Sequence, residues 1–75
     1  MKLTRQQRAY LRGVYKECGA QQGHCADSRR VSQAIGATED ERMDIEDALA
    51  REGYIELGNA PGTVGLTDLG RRAIR

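Results

Sequence analysis

Apolar residues fall at helical intervals three times along this chain before the pattern changes. In residues 3 to about 18, Leu3, Tyr10, Leu11, Val14 and Cys18 share one face, because positions three, four and seven apart lie on one side of an α-helix. Thr4 offers a cap at its start. A shorter run, residues 29 to about 35, follows a cap by Asp27 or Ser28 and turns Val31, Ala34 and Ile35 toward a core before Gly36 stops it. The third run, residues 38–53, places Ile45, Ala48, Leu49 and the aliphatic part of Glu52 on an inner stripe. Glu39, Asp40, Met43, Glu46, Asp47 and Ala50 fall on the other side. Thr38 with Glu41 three residues on has the form of a capping box, the early carboxylates suit the positive helix end, and Gly53 supplies the stop.

After Gly53 the period shortens. Residues 54–57 read as a strand, Gly58, Asn59, Pro61 and Gly62 as turn formers, and residues 63–66 as the returning strand. Thr67 then caps a last helix in which Leu69 and Ala73 or Ile74 can pack. Residues 18–26 read as a loop broken by Gly19 and Gly23, and the second and third helices are joined by a turn of two or three residues, the length of a helix-turn-helix. The predicted fold is mainly α with a small β-hairpin (α+β), in the order helix, helix, helix, strand, strand, helix, as a single domain over residues 1–75.

Composition sharpens this picture. Seventy-five residues support one small core, which dimerisation would help. With three Tyr and no Trp or Phe, that core must be built from Leu, Ile, Val and Ala. No stretch is apolar enough to cross a membrane and no signal peptide is evident, so a cytoplasmic location is expected, with Cys18 and Cys25 as reduced thiols.

Net charge is only +1, but it is divided: residues 1–36 carry seven Lys/Arg against two acids, and residues 37–53 carry two against seven. On the first helix Arg5, Arg8, Arg12 and Lys16, spaced three, four and four apart, form one basic stripe. Arg29 and Arg30 stand at the start of the second helix, and Arg71, Arg72 and Arg75 on the last. Cys18, His24 and Cys25 match no zinc spacing, so no metal is expected. A Cys18–Cys25 disulfide is disfavoured by the expected compartment. The one His in a glycine-rich loop and the absence of a nucleophile or phosphate-loop motif give no catalytic residue and no cofactor site.

Two short passages carry a resemblance to a known family. Leu49, Gly53, Tyr54 and Ile55 resemble the L-x-x-x-G-[LYF]-[IV] passage by which the third helix of bacterial winged-helix regulators leads into the wing. Leu66, Thr67, Gly70 and Arg71 resemble the L-T-x-x-G-R that leaves the wing in regulators of the multiple-antibiotic-resistance type. The resemblance implies a winged helix-turn-helix, with the third helix in the DNA major groove and the wing along the backbone. The matching third-helix positions here are Glu39, Asp40, Met43, Glu46 and Asp47, and carboxylates oppose the phosphate neutralisation on which binding rests. Only Arg42, on the flank, offers a cation, and the wing tip has none. The expectation is therefore a transcriptional regulator that holds double-stranded DNA by its backbone through Arg5, Arg8, Arg12, Lys16, Arg29 and Arg30. The alternative is a protein-interaction module whose Glu39, Asp40, Met43, Glu46 and Asp47 bind a basic partner or, as a homodimer, another copy of the chain.

Overall fold

The computed structural model describes residues 2–19, 26–59 and 62–74. Four helices and three strands follow in the order α1 (Arg5–Cys18), β1 (Ala26–Asp27), α2 (Ser28–Ala34), α3 (Glu39–Arg51), β2 (Ile55–Leu57), β3 (Thr63–Leu66) and α4 (Asp68–Ala73). The strands form one antiparallel sheet in the order β1-β3-β2, with Ile55 opposite Leu66 and Leu57 opposite Val64. Beneath it Tyr10, Leu11 and Val14 of α1, Leu49 of α3 and Val64 of β3 are all fully buried.

Each helix starts where a side chain replaces the missing backbone acceptor. Thr4 Oγ1 accepts from the Gln7 amide at 3.0 Å while Gln7 Oε1 accepts from the Thr4 amide at 3.0 Å. Thr38 and Glu41 form the same reciprocal box at 3.2 and 2.9 Å. Asp27, rather than Ser28, caps α2, accepting from the amides of Arg29 and Arg30. Four residues, 35–38, separate α2 from α3, slightly more than predicted, with Gly36 at φ +72° making the turn.

The two motifs that bracket the hairpin meet in space. Thr67 donates from Oγ1 to the Gly53 carbonyl at 2.6 Å, and its amide donates to the Tyr54 carbonyl at 3.2 Å. Gly70 lies so close that a Cβ there would stand 2.2 Å from the Tyr54 carbonyl oxygen. The glycine is required because the first turn of α4 rests directly on the backbone that leaves α3.

Three sequence expectations change. Ala26, read as the end of a loop, and Asp27, read as a cap, also form a third strand, Ala26 pairing with Val64 and Asp27 with Thr63. Cys18 is held in a disulfide instead of being the reduced thiol that the expected compartment suggests. Cys25 and His24 lie outside the described residues. Finally, Glu46, assigned to the outer face of α3, is turned inward and only 9% exposed, because it has partners there.

Candidate nucleic-acid interface

Glu46 is the centre of a polar network linking three helices. The Tyr10 hydroxyl of α1 donates to Glu46 Oε2, and Arg42 Nη1 donates to Glu46 Oε1 at 3.1 Å. Arg42 also reaches Ser28 Oγ of α2 at 3.4 Å and Glu39 at 2.8 Å. Burial, followed by the hydrogen bond to Glu46, pushes the Tyr10 hydroxyl far above the ordinary phenol range. The hydrogen bond to Glu39 raises the already high Arg42 value further, against the opposing effect of burial. Arg42 is therefore held in its charged form within the network. Its side chain is 16% exposed and is shared between two carboxylates of its own helix.

What remains outward on α3 is acidic and apolar. Glu39, Asp40, Met43, Asp44 and Asp47 are exposed, Met43 to 58%. Arg51, the other cation of the helix, pairs with Asp47 at 3.0 Å. Met43, Asp44, Glu46 and Asp47 together with Leu57 of β2 line an open cleft of about 430 Å³. Leu57 is 53% exposed. Sequence reading missed both Asp44 and Leu57: Asp44 sits between the face positions assigned on the wheel, and Leu57 was counted as a strand residue with nothing to show which side it takes.

The basic residues present a different surface. Arg5, Arg8, Arg12 and Lys16 are all exposed on α1, and among the described residues none of the four is in an ion pair. Arg5, Arg8 and Arg12 with Leu3 and Ala9 line a shallow cleft of about 550 Å³. At about 100° per residue the stripe lies roughly 120° or more around α1 from Tyr10, the side chain that faces α3. The stripe thus lies off the side of α1 that packs on α3, whereas Gln6, the residue after Arg5, reaches Glu41 of α3 at 3.4 Å. Arg29 and Arg30 are exposed at the N-terminus of α2, and Arg30 reaches across to Glu17 of α1 at 3.5 Å. The Lys16 end of the stripe is the part that approaches this pair. On α4, Arg71 is tied to Asp68 at 2.7 Å, which holds the Asp68 carboxyl below its usual range.

Among the described residues no group of three His, Cys, Asp or Glu side chains is placed to hold a metal. No described helix is long and apolar enough to cross a membrane. No protein-family model matches the sequence, and none of the curated proteins does. Solved structures do match: the PcaV transcriptional regulator from Streptomyces coelicolor, in complex with its natural ligand, superposes with a TM-score of 0.82 at 27% identity, over 97% of this chain and 51% of that one. A second PcaV structure gives a TM-score of 0.81 at 27% identity, over 96% of this chain and 52% of that one. The chain is a winged helix-turn-helix domain. In this winged helix α2 and α3 are the helix-turn-helix pair, and β2 and β3 with the turn between them are the wing. The likeness to regulators of the multiple-antibiotic-resistance type that the two hairpin motifs imply agrees with these neighbours. The chain spans about half the length of the regulators it matches.

Proposed function

We propose that this winged helix is the nucleic-acid-binding module of a transcriptional regulator and that it holds double-stranded DNA by the phosphate backbone. Arg5, Arg8, Arg12 and Lys16 of α1 and Arg29 and Arg30 of α2 supply the cations, and α3 does not enter the groove as the reading element. The similarity to a transcriptional regulator over nearly the whole chain supports a DNA-binding regulatory module. The observation that carries the choice of surface is the state of the cations: those on α1 are exposed and, among the described residues, in no ion pair, while Arg42 and Arg51 of α3 are bound to carboxylates of the same helix. An acidic face set against phosphates would meet repulsion and offer no compensating contact.

Binding of this kind is weakly dependent on sequence and strongly dependent on salt. Replacing Arg8 and Arg12 by Glu removes two phosphate contacts and is expected to flatten the slope of log K against log salt by about 1.8 or more. Replacing Asp44 and Asp47 by Lys is expected to leave affinity unchanged or raise it. Titrations of a mixed-sequence duplex by fluorescence anisotropy at several salt concentrations decide the matter. An unchanged slope for the first variant, or loss of binding in the second, would overturn the assignment.

A further inference from the structure

Two surfaces of this domain carry opposite charge, and each has the chemistry the other needs. The α1 stripe presents Arg5, Arg8, Arg12 and Lys16 beside Leu3 and Ala9. The α3–β2 cleft presents exposed Met43 and Leu57 beside Asp44 and Asp47, with Asp40 one turn before them. Both are straight helical rows with one charge per turn. Passing from Arg12 to Arg8 to Arg5 the steps are four and three residues, and passing from Asp40 to Asp44 to Asp47 they are again four and three. At 1.5 Å per residue both rows rise by about 6 and then about 4.5 Å when the helices run antiparallel. Among the described residues no ion pair joins the two rows within one chain.

We propose that α1 of one copy docks in the α3–β2 cleft of the next. Met43 and Leu57 pack on Leu3, Ala9 and the aliphatic stems of the arginines, and the carboxylates and guanidinium groups form the rim. A second copy fits better than an unrelated basic protein because sign, spacing and length of the complementary row are all present on this chain. Exposed Met and Leu side chains within an acidic rim also require an occupant with apolar surface between its cations, as α1 has. The contact joins different surfaces, so it is heterologous: assembly runs head to tail and is not limited to two copies. Since DNA and a neighbouring copy would both use the α1 stripe, they exclude one another there.

Light scattering without nucleic acid tests it, so that its failure would leave the DNA reading standing. At low salt the mean mass is expected to rise with concentration. At about 1 M salt, where the Debye length is only about 3 Å, it is expected to fall to that of a single chain. The double variants Arg8→Glu with Arg12→Glu, and Asp44→Lys with Asp47→Lys, should each remain single chains at low salt. All four side chains are exposed, and circular dichroism checks that both variants fold. An equimolar mixture of the two should regain association, because each then presents the sign the other lacks on both surfaces. A single-chain mass for the native protein at both salt levels would overturn the proposal. So would association that survives high salt or either double substitution, or a mixture that stays dissociated.

Discussion

Gly70 has no side chain because none fits between α4 and the Tyr54 carbonyl, where a Cβ would approach to 2.2 Å. The obstacle is backbone, which cannot rotate aside. Gly70→Ala is therefore expected to destabilise the domain by about 1–3 kcal/mol or more through overpacking, read as a lower urea midpoint. At Gly13 a Cβ would meet only the Val31 side chain, at 2.9 Å, so the same substitution there should cost less. Tyr10 makes a different prediction. Its folded value lies above the ordinary phenol value, so the folded state keeps a proton that the unfolded chain releases. This contribution is complete below about pH 10 and is lost as pH rises beyond it. Between about pH 9 and about pH 11 the native protein should lose more stability than Tyr10→Phe does, measured by denaturant unfolding at each pH. Equal losses would place the hydroxyl outside the network.

Among the elements, those defined by local signals were legible in the sequence. Thr38 and Glu41 mark the start of α3, and the observed box matches them. Thr38→Ala should cost about 1 kcal/mol by removing that cap, again read from the unfolding midpoint. The motifs around Gly53 and Gly70 also announced the hairpin and its exits. β1 was not legible, because two residues show no alternation and owe their strand geometry to Val64 and Thr63, far along the chain. Glu46 failed for a related reason. It lies at the edge of the inner stripe, about 100° from Ile45, where residue type suggests water. Its burial follows from Tyr10, thirty-six positions away, and from Arg42 one turn before it. The basic stripe of α1 was legible in full, since four exposed cations at helical spacing need no tertiary partner. The α3–β2 cleft was only half legible: Met43 and Asp47 were found on the helix, and Leu57 joins them only once the wing folds back.

Over the whole molecule, a net charge near zero conceals a basic row on α1 and an acidic row on α3. The fold is the one in which the third helix commonly reads the major groove. In this chain that helix has turned one cation inward and paired the other. Under the proposed assignment, DNA binding relies on the α1 and α2 cations, with affinity set by counterion release more than by base contacts. The most direct test is a low-salt titration of the protein with a mixed-sequence duplex, followed residue by residue through backbone amide resonances. The shifts should cluster on Arg5, Arg8, Arg12 and Lys16 and on Arg29 and Arg30, with α3 and the wing unmoved. Shifts concentrated on Asp40, Met43, Asp44 and Asp47, or no shift at all, would contradict it.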